Sequence, residues 1–131
     1  MNALVVFAHP LRESLCGHLA GTAAQSLEAA GHEVAFLDLY ADGFDPRLTA
    51  AERSAYYADD PDASPVPGHV AALARAEALV FVFPTWWFGP PAILKGWIDR
   101  VFAPGVAFGH GRDFGPIVPK LTRLRPAAVI I

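Results

Sequence analysis

The chain has 131 residues, 53% of them apolar and 18% charged, with a net charge of −3. That length suits one domain with a real core and is too short for two ordinary ones, and the apolar share excludes a disordered chain. Mild acidity without a basic cluster excludes an electrostatic footprint for nucleic acid, and no apolar run is long enough to span a bilayer.

Residues 3–8 (Ala-Leu-Val-Val-Phe-Ala) are continuously apolar, as expected of a strand buried on both faces. Ser14 is a good helix N-cap; after it Leu15, Leu19, Ala23 and Leu27 recur every fourth residue, and Gly31 ends the pattern. Residues 33–40 read as a second strand leading into the turn Ala41-Asp42-Gly43, and Thr49-Ala50-Ala51-Glu52 fits a capping box. Residues 57–68, rich in Asp and Pro without periodicity, read as a flexible loop. A helix over about 66–77 delivers the chain to a third strand at 78–83. Pro90 and Pro91 sit where a helix start tolerates proline. Leu94, Trp97, Ile98 and Val101 then mark a core-facing stripe, with Lys95 and Arg100 on the polar side as solvated charges. A glycine-rich connection over 103–125 leads to a last apolar strand at 127–131. Such a strand, buried on both faces, needs cover, so the chain reads as truncated relative to a complete domain.

Alternating strands and helices predict an α/β fold: an open parallel sheet with helices on both faces. Ligands of such sheets bind beyond the carboxyl ends of the strands, where strand order switches. The turns after strands one and three are therefore the places to look. The first, His9-Pro10-Leu11-Arg12-Glu13-Ser14, opens a helix whose unpaired amides and dipole suit an anion. His9, Arg12 and the Ser14 hydroxyl can add donors or charge. It lacks the glycines of the usual phosphate motifs, and a plain N-cap at Ser14 explains it as well. The second, Pro84-Thr85-Trp86-Trp87-Phe88-Gly89, is aromatic and uncharged where loops are normally polar. It suits a planar ligand that stacks on rings and takes backbone N–H groups, and equally a buried or dimer-interface anchor. Cys16, the lone cysteine, rules out an internal disulfide, fits a reducing cytoplasm and reads as a small packing residue. The five histidines have no metal-ligand spacing, so no metal site is expected.

Ala8-His9-Pro10 with Ser14, together with residues 83–102 (Phe-Pro-Thr-Trp-Trp-Phe-Gly-Pro-Pro-Ala-Ile-Leu-Lys-Gly-Trp-Ile-Asp-Arg-Val-Phe), resembles the NAD(P)H:quinone oxidoreductase family. These are flavodoxin-like flavoproteins, a group that includes ancillary subunits of potassium-efflux systems. The resemblance implies a single flavin-binding domain over 1–131, with strand order 2-1-3-4 and a fifth strand absent. It implies that His9, Ser14, Leu15 and Cys16 hold the phosphate or pyrophosphate of FMN or FAD. Pro84, Thr85, Trp86, Trp87, Phe88 and Gly89 would lie against the isoalloxazine ring, their backbone amides reaching its polar edge. Ala107, Phe108 and Gly109 match the segment lining the substrate and nicotinamide side. The implied reaction is ping-pong transfer of hydride from NAD(P)H to a quinone-like acceptor, in a cytoplasmic homodimer. The family's proton-handling residues fall beyond Ile131, so no catalytic residue is assigned.

Two further readings stay open beside this one. A flavodoxin-like regulatory module would bind flavin without rapid turnover and associate with a transporter. A catalytically incomplete fragment would show neither flavin absorbance nor a stable fold.

Overall fold

The structure, a computed structural model, describes residues 1–57, 64–111 and 115–131. Half of the 57–68 loop, residues 58–63, therefore lies outside the described residues, and its last two residues, Pro67 and Gly68, open a helix instead.

Strand β1 (Asn2–Phe7) is the centre of the sheet, buried from Ala3 onward. It pairs in parallel with β2 (Glu33–Asp38) on one side and β3 (Ala78–Val82) on the other. The last strand of the chain, β6 (Ala127–Ile130), pairs in parallel with β3, giving the order β2-β1-β3-β6. Taking β6 as the fourth parallel strand, this is the expected 2-1-3-4 arrangement.

The alternation along β1 separates two cores. Leu4, Val6 and Ala8 belong to one cluster, with Leu73 and Val70 of α3 (Pro67–Arg75) and Leu94, Trp97 and Val101 of α4 (Ala92–Val101). Val5 and Phe7 belong to the other, with Ala20 of α1 (Leu15–Ala29). Helices thus cover both faces, which is why β1 can be apolar without a break. Trp97 is the largest fully buried side chain, and burying each such residue stabilises the fold by roughly 1.5–3 kcal/mol.

Four features depart from the sequence reading. Leu15 is not part of the α1 core stripe: it is exposed, and Cys16, Leu19, Ala20 and Leu27 pack inward instead. The first residue of the helix is rotated off the face that its fourfold spacing suggests. Arg100 is not solvated. It is 8% exposed, its Nε donates to Glu52 Oε1 at 2.7 Å, Nη1 donates to the Asp45 carbonyl, and the guanidinium lies 5.5 Å over the Phe44 ring. Its partners come from α2 (Ala50–Ser54) and from the segment before it, which passes α4 so closely that a Cβ on Gly96 would sit 2.2 Å from the Pro46 carbonyl oxygen. The glycine-rich connection contains a short antiparallel ladder, β4 (Phe108–Gly109) with β5 (Val118–Pro119). Finally, β6 is not buried on both faces: Ala127, Ala128 and Val129 are exposed at the sheet edge, and only Ile130 packs against the α1-side core.

The Thr49 capping box forms as expected, with Glu52 N–H donating to Thr49 Oγ1 and Thr49 N–H to Glu52 Oε2. No helix among the described residues is long and apolar enough to cross a membrane.

Candidate functional site

Because β1 and β3 are parallel neighbours, the loops that follow them emerge side by side at the carboxyl end of the sheet. A hydrogen bond from Ala8 N–H to the Val82 carbonyl carries the pairing to the last residue before each loop. The loops then meet through side chains: the His9 and Trp86 rings lie 5.9 Å apart, tilted by 56°. The structure thus joins the two segments singled out by the sequence.

In the first loop, Ser14 caps α1, its Oγ accepting the Gly17 N–H at 3.1 Å. The hydroxyl is therefore committed to the helix as an acceptor, as the plain-cap reading holds. The amides of Leu15 and Cys16 donate to no group among the described residues, leaving two N–H groups at the positive end of a 15-residue helix. His9 Nδ1 lies 2.9 Å from the Leu11 N–H and 3.0 Å from the Leu11 carbonyl oxygen, so Leu11 holds the ring in place whichever of the two bonds the tautomer makes. Arg12, in contrast, is engaged: its Nη1 donates to Asp38 Oδ2 at 3.0 Å, across the loop at the end of β2.

The second loop is a two-residue hairpin. Trp86 and Gly89 exchange both backbone hydrogen bonds, at 3.0 and 3.1 Å. Between them Trp87 and Phe88 have φ of 49° and 63°, the left-handed pair of a type I′ turn. Asn and Gly are the residues this turn favours; an aromatic residue there costs of order 1–3 kcal/mol. The two rings are nevertheless 95% and 99% exposed, so no packing within the fold offsets the strain. The hairpin withdraws the Trp86 and Gly89 amides from any ligand and leaves those of Thr85, Trp87 and Phe88 without an acceptor among the described residues. Pro84 is half-buried at the base of the turn.

Phe108, in β4, is held by the Gly105 N–H donating to its carbonyl at 2.8 Å, and Ala107 by the Lys120 N–H donating to its own at 2.9 Å. Gly109 is buried. Among the described residues Phe108 makes no ring contact with Trp86, Trp87 or Phe88; its ring meets His110 edge-on at 5.7 Å, and His110 in turn lies 5.3 Å from Tyr57. A ring contact thus joins the first two predicted segments, while among the described residues none joins the third to them. Asp38 and Tyr57 were not singled out by the sequence reading. For Asp38 a signal existed, a lone acid closing an apolar strand.

The unengaged donors are backbone N–H groups beside exposed rings, and the Arg12 guanidinium nearby is paired with Asp38. Such a set suits a flat heteroaromatic body with a hydrogen-bonding edge and an anionic tail. Among the described residues no group of His, Cys, Asp and Glu is placed to hold a metal ion.

The family model Flavodoxin_2, described as a flavodoxin-like fold, matches residues 1–131. A ribosyldihydronicotinamide dehydrogenase-like protein (traD) of Penicillium crustosum is 41% identical over 126 residues, covering 85% of this chain and 46% of that protein. NAD(P)H dehydrogenase (quinone) 1 of Cavia porcellus is 33% identical, covering 91% of this chain and 50% of that protein. Among solved structures, an NAD(P)H:quinone oxidoreductase from Methanothermobacter marburgensis superposes with a TM-score of 0.82 at 32% identity, over 98% of this chain and 64% of that one. The chain spans about half the length of the curated relatives it matches.

Proposed function

The chain belongs to the Flavodoxin_2 family of flavodoxin-like folds, and from that premise we propose that it is the flavin-binding part of an NAD(P)H oxidoreductase acting on quinone-like acceptors. One observation carries the proposal. A strained aromatic hairpin with three unengaged amides meets, through Trp86 and His9, the loop that leads into a helix N-terminus with two more, at the carboxyl end of a parallel sheet. The printed names of the relatives, quinone dehydrogenases and reductases, support the same reading.

On this reading Leu15 N–H, Cys16 N–H and the His9 ring hold the flavin phosphate, which FMN and FAD share. Thr85, Trp87 and Phe88 present their amides to the polar edge of the ring system, while the Trp87 and Phe88 rings exclude water beside it. When bound, the flavin supplies the hydride chemistry, as cofactors of this class do. NAD(P)H and acceptor occupy one place in turn, the ping-pong order, with residues 107–109 on that side. The proposal extends to a homodimer, to which exposed Leu11, Leu15, Trp87 and Phe88 offer apolar side chains, and to the cytoplasm, which a free Cys16 suits.

The test is to titrate the chain with FMN and with FAD, following flavin fluorescence, and then to measure NADH and NADPH oxidation with a naphthoquinone acceptor. Saturable binding of either flavin with acceptor-dependent turnover is expected of a protein that includes this chain. Absence of binding by the folded chain would contradict the assignment of these loops.

A further inference from the structure

We propose that the Arg12–Asp38 ion pair is a positioning device for the first loop, and that the Arg12 guanidinium is not itself a ligand of the anion bound there. The inference rests on the flavin reading above and assigns a task to two residues that this reading leaves unused.

Asp38 is 6% exposed, and both of its carboxylate oxygens are engaged. Oδ2 accepts from Arg12 Nη1 at 3.0 Å and Oδ1 accepts the Ala41 N–H at 3.1 Å. A buried carboxylate tied in this way is a fixed point at the end of β2. Arg12 joins that point to the loop. Its guanidinium lies 5.8 Å over the Phe36 ring, next to Asp38 in direction along β2, while its backbone packs on the first turn of α1. The packing is tight: a Cβ on Gly17 would sit 1.9 Å from the Arg12 carbonyl oxygen. Residue 12 is thus held from both sides, by Asp38 through its side chain and by Gly17 through its backbone.

Its neighbours inherit that placement. The Leu11 carbonyl accepts the Ser14 N–H at 3.1 Å, and the Leu11 backbone, its N–H and carbonyl 2.9 and 3.0 Å from His9 Nδ1, fixes the imidazole ring. Asp38 therefore acts on His9 through Arg12 and Leu11, without touching the anion. The charge balance agrees with this task. Arg12 beside an ionised Asp38 is a neutral pair, so the loop meets a phosphate with dipoles and N–H groups rather than with a net cation.

A double-mutant cycle with Arg12→Gln and Asp38→Asn tests the inference, read as the ratio of riboflavin to FMN dissociation constants, which isolates the phosphate contribution. Each single variant is expected to lower that ratio roughly two- to fivefold, the worth of an ion pair whose arginine side chain is 72% exposed, and the double variant no further. Riboflavin binding should hardly change, whereas general structural damage would weaken both ligands alike. Arg12→Lys, which keeps the charge but not the planar fork, is expected to recover part of the ratio and stands in should Asp38→Asn not fold. Tighter FMN binding by Asp38→Asn would mean that the freed Arg12 reaches the phosphate, and would overturn the inference. So would an unchanged ratio in Arg12→Gln while the unsubstituted chain prefers FMN. Equal affinity of the unsubstituted chain for FMN and riboflavin would instead overturn the phosphate assignment of the loop, and this inference with it.

Discussion

Replacing Trp87 by Asn and Phe88 by Gly should stabilise the ligand-free fold while weakening flavin binding. Both positions have positive φ, where a non-glycine residue costs about 1–2 kcal/mol. Asn-Gly is the pair that a type I′ turn favours. Relief at two positions is worth about 2–4 kcal/mol, less roughly 0.5–1 kcal/mol for the added freedom of glycine in the unfolded chain. With rings 95% and 99% exposed, almost no burial is lost. The net gain is about 2 kcal/mol. At about 2.1 cal/mol/K per residue over 131 residues, that raises the melting temperature by about 7 °C. The same change removes two rings from the proposed flavin site, each worth about 0.5–1.5 kcal/mol, so the dissociation constant should rise roughly 5- to 150-fold. Differential scanning calorimetry of the ligand-free chain and a flavin titration read the two effects separately. A lower melting temperature would refute the strain argument, since the rings would then be contributing packing. An unchanged flavin affinity would refute their place beside the ligand.

Three further outcomes follow from the packing. Gly96→Ala, favourable by about 1 kcal/mol on helix propensity alone, should instead destabilise, because the new Cβ meets the Pro46 carbonyl oxygen at 2.2 Å; a urea melt with a midpoint equal to or above the original would contradict the tight α4 crossing. Trp97→Ala should cost about 3–5 kcal/mol in the same assay, and a loss under about 1 kcal/mol would contradict its central place in the core. His69 Nδ1 accepts the Trp97 Nε1–H at 3.1 Å, and burial, with Arg100 nearby, holds its pKa below the usual imidazole value despite the pull of Asp42. The unfolded chain therefore takes up this proton first. The contribution of His69 is complete above about pH 6.5 and is lost as pH falls through the lower folded value. His69→Gln, which keeps an acceptor, should flatten that part of the stability–pH profile; an unaltered slope would show that another group carries it.

The parts of the fold legible in the sequence are those set by local pattern. The unbroken apolar run of β1, the Thr49 capping box and the Leu94–Trp97–Val101 stripe all stand where periodicity puts them, to within a residue or two. Placing the aromatic turn after a central parallel strand was likewise a matter of order along the chain. What escaped depends on distant partners. Arg100 reads as solvated from its own helix, and only Glu52, 48 residues away, makes its burial affordable. Arg12 offers itself as an anion ligand until Asp38, 26 residues on, is seen to engage it. The left-handed backbone at Trp87 and Phe88 contradicts local propensity outright, and conflicts of that kind are expected at functional sites. The exposure of β6 follows from its edge position, which an apolar run cannot reveal.

The central claim is that one ligand bridges the two loops through amides the fold leaves unengaged. Backbone amide resonances followed by NMR during an FMN titration test it most directly. Leu15, Cys16, Thr85, Trp87 and Phe88 should shift together and saturably, while the Trp86 and Gly89 N–H groups, each donating to the other residue's carbonyl, keep their hydrogen-exchange protection. Saturable shifts confined to one loop, or centred elsewhere on the sheet, would contradict it.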